Sequence, residues 1–318
     1  MQHPRIPTRL AVDAARDRRF LAWRGSLRAE SESMFRNLSS TAKACIFIVG
    51  VLLISLTTAG IAGGLILAVS PLLMTLLMMF VVTRDGYSRA GWRTIGITRL
   101  GLRWWPVTLL VTAGVSALTF AGAVGLQFAV FSVAPTAASD LISLCISGPI
   151  LAFAEEIGWR GYLQSHLAPR LGQAWSWIVI GAVWVCWHLP YILFTPYYHT
   201  DGNRAVVLML FTSSVFAFSV LFGLLRDISG SLWVAVLAHF GHNAAFAWIG
   251  TDLIRATDPV AVDEYLAGDT GLLVLIGTAL SAVVLIVWRR RARSVRALNG
   301  HGRTGRGRPD PAAPADAS

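Results

Sequence analysis

Five ionisable side chains, Glu155, Glu156, Arg160, His188 and His239, and one carboxamide, Asn243, fall inside otherwise apolar stretches of the chain. Ionisable groups in such stretches are costly to keep, so each is a candidate for chemistry. The first cluster reads Glu155-Glu156-Ile157-Gly158-Trp159-Arg160. Neighbours on a helix point about 100° apart, so the two carboxylates cannot face one spot. Glu156 precedes Arg160 by four residues, the favoured order for an ion pair on one helix face. That pairing neutralises two charges and leaves Glu155 free, and a carboxylate in an apolar site suits general base or acid work. A purely structural ion network is the alternative, and two acids against one base argue against it.

The second cluster is Trp184-Val185-Cys186-Trp187-His188-Leu189-Pro190, where Pro190 should bend a helix just after His188. Alone, His188 reads better as a satisfied core histidine. The third is His239-Phe240-Gly241-His242-Asn243. His239 and Asn243 share a helix face, His242 shares part of it, and Gly241 leaves room for a backbone or a substrate. Hydrogen bonding between helices explains this cluster equally well on its own. Arg226-Asp227, Asp201 and Arg204 sit at span ends, and His3, His166, His199 and His301 are expected in solvated loops or tails. Taken together, one carboxylate, two imidazoles and one carboxamide from three helices could hold and activate water. Glu155, His188 and His239 could instead bind zinc, although no HExxH is present.

The elements that must position these groups are membrane helices. The 318 residues are 55% hydrophobic and only 14% charged, with a mean hydropathy of +0.60. That excludes disorder of the main body and an ordinary soluble domain. Cys45, Cys145 and Cys186 lie inside apolar runs, which excludes a disulfide scaffold. The expected class is all-α, a polytopic membrane protein of about eight transmembrane helices. Residues 44–83 carry no charge and hold two spans, broken near Gly60–Gly64. Further spans are expected at about 106–132, from near Asp140 through Glu155, and at 174–194, 205–225, 230–250 and 270–288. The basic, Trp-containing stretch 84–105 reads as interfacial.

The net charge is +10, and 22 of the 27 basic residues fall in 1–43, 84–103 and 289–308. Flanking apolar spans, they read as cytoplasmic anchors against anionic lipid and not as a nucleic-acid surface. No secretory h-region opens the chain, and eight spans return the C-terminus to the side of the N-terminus. Both termini are therefore expected in the cytoplasm, with the acidic connector 252–269 on the outer face. The chain divides into a basic segment 1–43, a membrane domain 44–288 and a disordered basic tail 289–318.

Glu155-Glu156-x-x-x-Arg160, Trp184-x-x-x-His188 and His239-x-x-x-Asn243 resemble, in order and spacing, the EExxxR, FxxxH and HxxxN motifs of the CPBP (CAAX protease and bacteriocin-processing, Abi) family of intramembrane proteases. The resemblance covers about 140–250. Trp184 stands where the family usually has Phe, and Trp159 where Phe is common before the Arg. The resemblance implies a peptidase in which Glu155 activates water with help from His188. His239 and Asn243 would stabilise the oxyanion, while Glu156 and Arg160 hold the site in shape. It also implies a protein or peptide substrate within the membrane, and leaves zinc-dependent and metal-free glutamate mechanisms both open. A transporter with a Glu/His proton relay and a catalytically silent immunity or scaffold member are the other functions considered. Glu155 reaches the depth of His188 only if the fourth helix continues to about His166, and it is predicted to do so.

Overall fold

The structure, a computed structural model, describes residues 38–196 and 201–304. Residues 1–37 of the basic segment, His3 and His199, and the end of the tail beyond 304 lie outside the described residues. Among the described residues eight helices are long and apolar enough to cross a membrane: α1 (Ser40–Thr58), α2 (Ile61–Val82), α3 (Leu102–Gly125), α4 (Ala137–Leu171), α5 (Gln173–Phe194), α6 (Arg204–Ser229), α7 (Leu232–Leu253) and α8, whose apolar part is Leu272–Ser294. In hydrocarbon every backbone polar group must be satisfied within the segment, and the helix does this. The chain is thus a polytopic all-α membrane protein. Its lipid-facing surface is apolar. Ile142, Ile146 and Ile150 form an exposed stripe along the first half of α4, and Leu280 and Val284 do the same on α8.

The break between α1 and α2 comes where the glycines predicted it. Ala62, Gly63 and Gly64 all have positive φ, which reverses the chain in one tight turn. Gly64 is needed twice over, since its φ is +87° and a Cβ there would lie 2.7 Å from the Tyr191 ring of α5. Helix α1 starts at Ser40, inside the segment expected to precede the membrane domain, because Ser39 Oγ caps it by accepting the Ala42 N–H at 3.1 Å. The stretch between α2 and α3 forms a short helix, Arg89–Thr94, with Tyr87, Leu100 and Trp105 exposed as an interfacial segment would have them.

Two spans differ from their expected lengths, and α4 continues past His166 as predicted. Helix α3 ends at Gly125 and not near 132, because Gln127 turns the chain at φ +64°. The apolar residues that follow form β1 (Ala129–Phe131), antiparallel to β2 (Ile254–Ala256), with Val130 opposite Arg255. Helix α4 runs past His166 to Leu171. His166 is accordingly a helical, half-buried residue whose ring lies 4.3 Å from that of Tyr162, and not a solvated loop residue. Helix α8 continues to Thr304, so residues 289–304, expected in a disordered tail, extend the helix. Arg, Ala and Leu are strong helix formers, and they dominate that stretch.

Helix α4 packs chiefly on α7 and α2, α5 on α6, and α6 also on α8. One core cluster joins these helices. In it the Phe47 ring stacks on Tyr162 at 5.3 Å and meets Trp159 edge-on at 6.1 Å. Helix α4 crosses α2 closely at Gly158, where a Cβ would lie 2.5 Å from Pro71 Cβ and 3.0 Å from the Pro71 carbonyl oxygen. Gly158→Ala is expected to push α4 off α2 and destabilise the protein by about 1–3 kcal/mol. Gly125→Ala, with nothing within 4 Å of the new Cβ, should be neutral to within about 0.5 kcal/mol. Thermal unfolding of both variants in one detergent is the measurement.

Candidate active site

The acid pair stands where α4 changes winding. The α-helical ladder ends at Glu156, and a π turn follows over Ile157–Leu163, closed by the Gln164 N–H on the Trp159 carbonyl. All seven residues of the turn are buried. The extra residue per turn resets the faces of everything after Glu156, and such turns often accompany functional sites.

Glu156 Oε1 accepts two bonds at 2.9 Å, one from Arg160 Nη1 and one from His239 Nδ1 of α7. Glu156 and Arg160 are both fully buried. The expected pair therefore forms, and it reaches a third group on another helix. Nε and Nη2 of Arg160 have no hydrogen-bond partner among the described residues. Instead the guanidinium lies 4.5 Å from the Trp184 ring centroid and 5.2 Å from that of Phe222. Aromatic faces offset part of the cost of burying the cation.

Glu155 is free of cations but not of partners. Its Oε2 accepts from Trp184 Nε1 at 3.1 Å and, more weakly, from Trp159 Nε1 at 3.5 Å. Trp184 also offers its backbone carbonyl to His188 Nδ1 at 2.9 Å. A carbonyl can only accept, so His188 Nδ1 carries the proton and Nε2 keeps a lone pair when the ring is neutral. A carboxylate likewise only accepts from His239 Nδ1, which leaves His239 Nε2 available. His242 differs. Its Nε2 donates to the Asp269 carbonyl at 3.1 Å, and its Nδ1 lies 3.1 Å from Ser116 Oγ. Both of its nitrogens are used, so it is a buried strut between α7, α3 and the start of α8.

Glu155, His188, His239 and Asn243 line one cavity of about 120 Å³, room for a few waters. Asn243 is exposed within it, with no hydrogen-bond partner among the described residues. Its other walls are Trp184, His242, Asp269, Thr270 and a stripe of α6, Phe211, Val215, Phe218 and Phe222. The α6 wall was not singled out from the sequence, although its spacing of 4, 3 and 4 residues is a readable helical stripe. Gly241 opens no room toward a substrate. A Cβ there would lie 2.9 Å from Thr112 Oγ1 of α3, so this glycine serves helix packing.

Among the described residues no three His, Cys, Asp or Glu side chains come together as metal ligands. The zinc set considered above, Glu155, His188 and His239, lines one cavity but does not form such a group.

Residues 135–245 match the family model described as Rce1-like, type II CAAX prenyl endopeptidase Rce1-like. The match contains all six candidate side chains and the π turn, and agrees with the order of the three motifs. No curated protein matches the chain. Glu156→Ala would strand Arg160 as a buried unpaired cation and release His239, with an expected loss of about 3–5 kcal/mol. Glu156→Gln keeps an acceptor oxygen and should lose less. Unfolding of the two variants side by side checks the order.

Proposed function

We propose that this chain, a multi-pass membrane protein carrying an Rce1-like domain, is an intramembrane endopeptidase in which Glu155 activates the attacking water. The observation that carries this reading is the convergence of Glu155, His188, His239 and Asn243, from three helices, on one small cavity inside the lipid-embedded bundle.

The chemistry follows from the groups present. Water in the cavity gives a proton to Glu155, assisted by the His188 Nε2 lone pair, and its oxygen attacks the scissile carbonyl carbon. The carbonyl oxygen becomes an oxyanion, which needs donors already aimed at it. The Asn243 amide supplies one. His239 supplies the other from Nε2 when protonated, with its Nδ1–H held by Glu156. In that state Glu155, Glu156, Arg160 and His239 sum to zero charge, which suits a low-dielectric site. The tetrahedral intermediate collapses as Glu155 passes the proton to the departing amine nitrogen. The C–N bond breaks, and the products are a carboxylic acid and an amine.

The substrate in this reading is a membrane-associated or lipidated protein or peptide, which reaches the cavity within the bilayer. The basic flanks of the spans hold both chain ends on the side of the anionic leaflet. Glu155→Gln should cut turnover by about 10²–10⁴-fold while the protein still folds and inserts. The same variant, carrying a photo-crosslinker in the cavity wall, should retain uncleaved substrate for identification by mass spectrometry. Cleavage that persists in Glu155→Gln would remove the proposed base. Undiminished cellular function without any cleavage would make the chain a silent member of the family.

A further inference from the structure

The proposed role of Glu155 leaves open which of its two oxygens takes the proton, and the following inference rests on that role. The carboxylate is not symmetric in its surroundings. Oε2 faces two indole N–H groups, at 3.1 Å from Trp184 and 3.5 Å from Trp159. Oε1 has no partner among the described residues. Both donors are rigid. Trp159 is fully buried between the rings of Phe47 at 6.1 Å and Trp187 at 5.6 Å. Trp184 is 4% exposed, with its ring against Arg160 and His239 and its carbonyl on His188. An indole nitrogen donates one hydrogen bond and accepts none. The oxygen it holds therefore keeps a permanent donor and is a poor site for a second proton.

We propose that Trp184, supported by Trp159, is a positioning residue that clamps Glu155 by Oε2 and thereby assigns proton transfer to Oε1. The clamp stops rotation of the carboxylate and replaces part of the hydration that the charged form loses in the bundle. A phenyl ring at 184 would keep the packing over Arg160 and remove the donor. Trp184 thus fixes the orientation of the base and of His188 from one side chain and its own backbone.

The test separates the clamp from the hydrolytic reading. Ultraviolet resonance Raman spectra report hydrogen bonding at indole N–H, and the Trp184 signal is isolated by subtracting the spectrum of Trp184→Phe. A bonded N–H signal that disappears in the Glu155→Ala background is expected. An unbonded signal, or one that Glu155→Ala leaves unchanged, overturns the clamp whether or not the protein is a protease. Turnover is then measured in proteoliposomes with the peptide captured by Glu155→Gln. Replacing Trp184 by 3-benzothienylalanine, which substitutes sulfur for the N–H at nearly constant shape, should lower kcat about 10–100-fold with KM unchanged within about twofold. Trp159→Phe should lower it less, in keeping with the longer contact. Full activity in the isostere, with Glu155→Gln inactive, overturns the clamp alone. Activity in Glu155→Gln overturns the base assignment and the clamp's role with it.

Discussion

A single carboxylate oxygen, Glu156 Oε1, joins the two halves of the site. It takes one hydrogen bond from its own helix, through Arg160, and one from α7, through His239. Arg160 is fully buried and cannot turn to water for a substitute partner, so the cation is committed to the acceptor it shares with the imidazole. The rotation of α4 against α7 is set by that shared oxygen as much as by apolar packing. Helix rotation in turn decides whether Asn243, one turn after His239 on α7, faces the cavity. The buried ion pair is thus better understood as a register device than as a source of stability, because ion pairs of this kind return little net energy.

Around this pivot the winding of α4 matters. The first half of the helix presents an isoleucine stripe outward, yet every residue of the π turn is buried. Ala152 and Ala154 already end that stripe, and the whole circumference of the π turn, Trp159 and Arg160 included, is buried between neighbouring helices. Gly158 completes the arrangement by letting Pro71 approach to a distance that no side chain would permit. Tryptophans rather than charges then carry polar contact to Glu155, which keeps the cluster compact and dry on its far side.

Much of this was legible from residue types. The long uncharged run, its glycine break, the Glu156–Arg160 spacing and the shared face of His239 and Asn243 all follow from helix geometry within one element. Contacts between helices were not legible, because periodicity fixes a face but not the angle at which two faces meet. The His239–Glu156 bond belongs to that class, as do the different duties of His188 and His242, two rings that both lie in apolar spans. Trp184 looked like a conservative aromatic replacement, since its ring is what spacing can place. Its N–H became meaningful only once Glu155 stood opposite it. The β1–β2 pairing joins stretches more than a hundred residues apart, and no local pattern distinguishes Ala129–Phe131 from the end of an apolar span. The helical continuation of α8 was hidden by its arginines, which read as disorder by composition although arginine favours helix.

That last helix has a mechanical implication. Thirty-three residues at 1.5 Å each make a rod of roughly 50 Å, against a hydrocarbon thickness of about 30 Å. Unless strongly tilted, α8 overshoots the apolar slab by several turns, and its surplus lies at the end that bears Arg289, Arg290, Arg291 and Arg293. Those guanidinium groups stand on a continuous helix and not on a loose tether, so their position is set by the packing of α8. Any movement of α8 against α6 would carry them with it.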